Sequence, residues 1–237
     1  MSTIFPKWTN HLPTLGAVGG LGFACTAVGV VWYYFTPKFW EVGYMPKQPG
    51  TGFSHLIHAG KLGMDCRYCH SHVEESAEAN IPPVSVCYGC HAEGHVKPQF
   101  AKDENVKFIR EAYAADQSIE WNRVHKLPDY VRNFPHNVHV NAGVSCLSCH
   151  GMIPRMAVVH QVESLSMSWC LDCHRNPEPH LVPPDKVTDL FWVEQQLATR
   201  GNPATPELGS PGGAALLSGL QQKPLHLLPQ NCGACHY

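Results

Sequence analysis

The longest apolar run in the chain lies near its N-terminus, where residues 14–35 (TLGAVGGLGFACTAVGVVWYYF) carry no charge. About 20 apolar residues cross a hydrocarbon core of about 30 Å, so this run predicts one transmembrane helix. Trp32, Tyr33 and Tyr34 at its end suit an interfacial aromatic belt. Gly16, Gly19, Gly20 and Gly22 lower its intrinsic helicity but allow another helix to approach closely. A signal peptide is the competing reading; with Met1 at the head of the chain, a retained anchor is expected. Lys7 before the run and Lys38 and Lys47 after it leave its orientation open. Beyond residue 35 the helical patterns are short. From Asp103 to Ala115 the period places Val106, Ile109, Arg110 and Tyr113 along one face, with acidic residues in the first turn. From Thr188 to Ala198 it gathers Leu190, Phe191, Val193 and Leu197, with Asp185 and Asp189 near the start. Residues 201–213 (GNPATPELGSPGG) read as a turn-rich linker, followed by a short helix around Ala214 to Gln221. No alternating strand pattern stands out.

Composition narrows the function classes. Lys+Arg 17 against Asp+Glu 19 leaves a net charge of -2, which excludes the basic footprint of a nucleic-acid binder. Charged residues make up 15% of the chain, below the roughly 25% of an ordinary globular domain. Gly 20 and Pro 20 limit long regular elements, while Cys 11 and His 16 supply many soft metal ligands.

The arrangement of those ligands decides the chemistry. Ten cysteines form five C-x-x-C pairs, each followed at once by histidine: Cys66/Cys69-His70, Cys87/Cys90-His91, Cys146/Cys149-His150, Cys170/Cys173-His174 and Cys232/Cys235-His236. C-x-x-C-H is the attachment signature of c-type haem. Two thiols form thioethers to one porphyrin, and the next residue brings its imidazole under the iron. Zinc knuckles and redox dithiols also use C-x-x-C, but neither calls for histidine after every pair. With 16 His in 237 residues, five such placements by chance arise roughly once in a million. Five covalent haems c are therefore expected. The remaining Cys25 lies in the apolar run and reads as a small buried hydrophobe; Gly22-Phe23-Ala24 before it does not fit a lipoprotein cleavage site.

The rest of the chain is internally duplicated. Phe53-Ser54-His55-Leu56-Ile57-His58 precedes the first two motifs, and Phe134-Pro135-His136-Asn137-Val138-His139 precedes the next two. His55 and His136, like His58 and His139, are offset by 81 residues. Two dihaem modules in tandem, each led by F-x-H-x-x-H, account for four haems, and the fifth closes the chain. The expected organisation is an N-terminal cytoplasmic segment (1–13), the anchor (14–35), a first dihaem module with its connecting helix (36–125), a second (126–180), and a C-terminal linker with the fifth haem (181–237). The fold class is a multihaem cytochrome c, mostly irregular, with short α-helices packed around five haems and one N-terminal transmembrane helix. A second axial histidine makes a six-coordinate iron suited to electron transfer. His55, His58, His136 and His139 are the expected distal ligands, without assignment to particular haems. For the fifth, His125 is expected; Met156 and Met167 are thioether alternatives, followed by His160, His180 or His226. His72 and His95 read as surface residues, and His11 lies ahead of the span. Haem c is attached outside the cytoplasmic membrane in bacteria, so residues 36–237 are expected on the periplasmic side.

The single N-terminal span, five C-x-x-C-H motifs and two F-x-H-x-x-H modules resemble the pentahaem cytochrome c subunit of alternative complex III. The phrases WNRVHKLPDYV (121–131), HVNAGVSCLSCH (139–150) and LSMSWCLDCHRNP (165–177) carry the resemblance most specifically, and it extends over nearly the whole chain. It implies a respiratory or photosynthetic quinol-oxidising complex that delivers electrons to a periplasmic acceptor. The implied partners are a large iron–sulfur and molybdopterin-enzyme-like subunit, polysulfide-reductase-like membrane subunits that bind quinol, and a monohaem cytochrome c. The implied role is an electron relay, not an enzyme. Two other readings compete with it: a membrane-anchored multihaem dehydrogenase that oxidises quinol itself, and a catalytic multihaem reductase. The reductase would need an open or unusual iron ligand, whereas all five motifs end in histidine. No Ser-His-Asp arrangement, phosphate loop or paired-carboxylate motif supports hydrolytic or phosphoryl chemistry.

Overall fold

A computed structural model of the chain describes residues 5–35, 42–97, 99, 102–127, 131, 134–199 and 228–236. It divides into two compact units, Met1–Lys38 and Phe39–Tyr237. The first contains a 3-10 turn at Lys7–His11 and helix α1 at Leu12–Phe35. This helix is apolar on all sides and exposed, and it is long enough to cross a membrane. A helix without a polar face has no favourable orientation on a protein surface in water.

The second unit is built from short helices: α2 Cys66–Cys69, α3 Val84–His91, α4 Asp103–Ala114, α5 His136–Asn141, α6 Cys146–His150, α7 Met167–Arg175, α8 Leu190–Thr199 and α9 Cys232–Cys235. A π-helical turn spans Leu56–Lys61. Among the described residues there is no β-strand, only an isolated antiparallel bridge between Val144 and Leu181. The amphipathic segment expected over 103–115 is α4; it buries Val106 and Ile109 and stacks Tyr113 on Tyr88 of α3 at 3.8 Å between ring centres. The segment expected over 188–198 is α8, which buries Leu190 and Val193. The linker and short helix expected over 201–221 lie outside the described residues.

The side-chain core is small. Val73, Val140, Val182, Val187 and Val193 form it, with Ala79, Leu147 and Trp192 packed alongside. Buried Ser145 ties α6 to this core by donating to the Val187 carbonyl at 2.9 Å. The two repeats interlock beside it. Asn141 and Asn137 of α5 donate their side-chain amides to the carbonyls of Glu74 (2.9 Å) and Glu75 (3.2 Å), just after the first motif. The backbone amides of Asn137 and His136 donate to Ser76 and Ala77 at 3.2 and 3.1 Å. These bonds satisfy four loop carbonyls that would otherwise lose water without compensation.

A second seam joins the π-helical turn to a 3-10 turn at Ile153–Arg155. Leu56 donates its amide to Met156 at 2.9 Å. Gly60 lies so close to the Pro154 carbonyl that a Cβ there would collide with backbone. Gly60→Ala is therefore expected to destabilise the fold by about 1–3 kcal/mol through overpacking. A lowered Tm by circular dichroism checks this, and an unchanged Tm would show that the seam can open without loss.

Candidate functional site

Each C-x-x-C pair occupies a single helical turn, in α2, α3, α6, α7 and α9. Residues i and i+3 lie on one face of a helix, so the two thiols project side by side and the following histidine continues the turn. Local capping starts three of these turns at the right place. Asp65, Ser145 and Ser166 accept hydrogen bonds from the amides of Arg67 (2.8 Å), Leu147 (3.3 Å) and Trp169 (3.4 Å), as N-cap side chains do. Arg67 holds Asp65 in turn, with Nε donating at 2.9 Å, and keeps its carboxyl down at about 2.

The two F-x-H-x-x-H segments adopt matching geometry, although the first lies on a π-helical turn and the second on α5. Phe53 stacks on His58 at 4.3 Å and meets His55 edge-on at 4.7 Å. Phe134 stacks on His139 at 4.6 Å and meets His136 edge-on at 5.1 Å. The phenylalanine thus orients both imidazoles of its module. His58 Nδ1 donates to the Ser54 carbonyl at 2.9 Å, and His139 Nδ1 donates to Pro135 at 2.8 Å, four residues back in each case. His136, His70 and His174 do likewise to Ala77 (2.8 Å), Asn80 (2.6 Å) and Pro229 (2.7 Å). A backbone carbonyl on Nδ1 fixes the tautomer and leaves the Nε2 lone pair for a metal.

The imidazoles are placed in facing pairs. His58 and His91 have ring centres 6.1 Å apart, His139 and His174 6.2 Å, and His136 and His150 6.5 Å. With metal–nitrogen bonds of about 2 Å and about 1.1 Å from nitrogen to ring centre, two imidazoles across one metal sit about 6.2 Å apart. These three pairs therefore fit a six-coordinate iron between them. His55 lies within electrostatic reach of His70. His125 is different: its ring touches His150 edge-to-face at 4.3 Å, too close for a metal to stand between them. Its Nε2 is buried without a hydrogen-bond partner, so His125 holds a nitrogen free for ligation beside the third motif. Met156 packs next to Gly151 at that same motif, and Met167 is exposed at the start of α7. His160 lies near His125, His72, His95 and His180 are exposed, and His226 is outside the described residues.

Burial keeps several of these imidazoles neutral. It holds His150 at about 3 and His55 and His125 at about 4, and it also lowers His91 and His139. The neutral form is the one that binds metal. The ten motif thiols are unpaired, so their sulfurs are available for thioethers. Among the described residues, no three His, Cys, Asp or Glu side chains converge to hold a bare ion, as a closed tetrahedral zinc site would require. Sequence reasoning found the phenylalanine-led repeats but missed the carbonyl partners of Nδ1, which come from loops without a motif.

The pH dependence follows from these shifts. Between the unfolded value of 6.5 and about 4, the unfolded chain binds protons at His55 and His125 that the folded chain does not. Stability therefore rises with pH across that window. The thermal midpoint is expected to fall as pH drops from 6.5 to 4, and replacing His55 or His125 by Gln should flatten part of that slope. A midpoint independent of pH over this range would contradict the placement of these groups.

No family model matches the chain. Over 112 residues, 47% of this chain, it is 30% identical to the menaquinone reductase multiheme cytochrome c subunit of Nitratidesulfovibrio vulgaris. That alignment covers 50% of the other protein, so the chain spans about half the length of the curated relative it matches.

Proposed function

We propose that this chain is a membrane-anchored pentahaem c-type cytochrome that relays electrons within a quinone-linked membrane complex. The reading rests above all on the three imidazole pairs spaced 6.1–6.5 Å apart, each joining a motif histidine to one from an F-x-H-x-x-H segment. When bound, each haem supplies a one-electron couple whose potential is set by axial ligation, burial and hydrogen bonding.

The chain's residues perform the rest. Each of the five cysteine pairs would hold one porphyrin through two thioethers, and His70, His91, His150, His174 and His236 would be the iron ligands that the motifs supply. The second imidazole at each iron would come from His58 for His91, His139 for His174 and His136 for His150, and His55 would serve the first motif. His125 would be the fifth imidazole; its ring lies against His150 of the third motif, and its Nε2 has no hydrogen-bond partner. Carbonyls on Nδ1 hold the rings so that a change of oxidation state needs little movement. At the three paired motifs no open position is left for a substrate, which favours a relay over a reductase.

The quinone link comes from the relative, a subunit of a menaquinone reductase. The finer assignment, to the quinol-oxidising alternative complex III, rests on the sequence resemblance, and so do the iron–sulfur/molybdopterin-enzyme-like, polysulfide-reductase-like and monohaem cytochrome c partners. In this reading α1 anchors the chain, and the haem-bearing unit faces the periplasm. Quinone chemistry belongs to the membrane partners. Copurification with quinol-binding subunits supports this division, while quinol turnover by the isolated chain would overturn it.

Intact mass with a pyridine haemochrome assay should find five covalent haems per chain; four or fewer would refute the count. His58→Ala and His139→Ala should each convert one haem to a high-spin form that binds carbon monoxide. An unchanged low-spin spectrum in either variant would remove that residue from the ligand set.

A further inference from the structure

The five motifs do not meet in space in the order in which they occur in the chain. The first and second motifs meet at His58, whose ring faces His91 at 6.1 Å and whose carbonyl accepts from the amide of Met64, two residues before Cys66, at 3.1 Å. The Cys69 thiol is within electrostatic reach of Cys87 and Cys90. On the other side of the first motif, Cys66 Sγ lies 3.9 Å from the Thr188 carbonyl, and Ser145, immediately before Cys146 of the third motif, donates to the adjoining Val187 carbonyl at 2.9 Å. Helix α5 bridges the third and fourth motifs, with His136 6.5 Å from His150 and His139 6.2 Å from His174. Cys170 of the fourth is within electrostatic reach of Cys235 of the fifth. A second link between fourth and fifth is the hydrogen bond from His174 to the Pro229 carbonyl, three residues before Cys232.

The interlock of the repeats explains this order. Helix α5, which opens the second module, is bonded to the 74–77 loop that follows the first motif. Thr188, just before α8, donates to Asp65 at 3.0 Å, immediately ahead of Cys66. The two modules therefore meet through their first motifs, which directs the second motif of each away from the junction. Exposure agrees with this arrangement. Of the ten motif cysteines, Cys90 and Cys232 are the exposed ones, and the other eight are half-buried.

We propose that the five attachment motifs form one unbranched row in the order second, first, third, fourth, fifth, with the Cys90 and Cys232 sites at its two ends. The inference rests on the pentahaem reading and adds an order to it. Motifs two and three, consecutive in sequence, stand apart in the row, and the segment that contains α4 between them does not carry the path. An outside redox partner meets the row at the second or the fifth motif, while the third is the most enclosed.

The test is anomalous scattering at the iron edge from crystals of the haem-loaded full chain. Five irons are expected, with those at His91 and His236 each having a single nearest iron neighbour and the other three having two. The porphyrin edges at these end sites should be the most exposed. Five irons in sequential order, or in a branched cluster, would overturn the row while leaving the pentahaem reading intact. Fewer than five irons would instead refute the haem count.

Discussion

Two imidazoles bound to one iron from opposite sides stand about 6.2 Å apart between ring centres, given metal–nitrogen bonds of about 2 Å. The facing pairs in this chain stand at 6.1, 6.2 and 6.5 Å, a gap sized for one coordinated metal atom. Much of the structure is arranged to keep that gap open. One-turn helices place the thiols and the motif histidine, phenylalanines brace the opposing histidines, and backbone carbonyls hold Nδ1 of His58, His136, His139 and His174. Removing any of these supports leaves the rings free to rotate into contact or toward water.

The protein interior is consistent with that priority. Among the described residues the buried hydrophobics are few, with one cluster of five valines, while burial must offset the entropy of ordering the chain. Hydrogen bonds between the repeats, from Asn137, Asn141 and His136 to the 74–77 loop, are the chain's own contribution to holding two modules in fixed register. For a relay such rigidity matters directly, because small ligand movements accompany small reorganisation on electron transfer.

Much of this was legible in the sequence because the chemistry needs fixed spacings. C-x-x-C-H specifies a helical turn, and recurrence of F-x-H-x-x-H at an offset of 81 residues marks a duplicated ligand device. The α4 and α8 segments were readable from their apolar period. Other features were not, since they depend on contacts between distant loops. Nothing in the sequence around Ala77, Asn80 or Pro229 announces a carbonyl that orients an imidazole. The position of His125 against His150, and the meeting of the modules through their first motifs, are likewise products of tertiary packing.

The central claim is that histidines from the phenylalanine-led segments face motif histidines across iron. Near-infrared magnetic circular dichroism of the oxidised, haem-loaded chain tests it most directly, because bis-histidine and histidine–methionine low-spin haems absorb at separate energies. The account predicts a bis-histidine band of intensity equivalent to at least three haems per chain. A spectrum dominated by histidine–methionine or high-spin signals, with fewer than three bis-histidine haems, would contradict it.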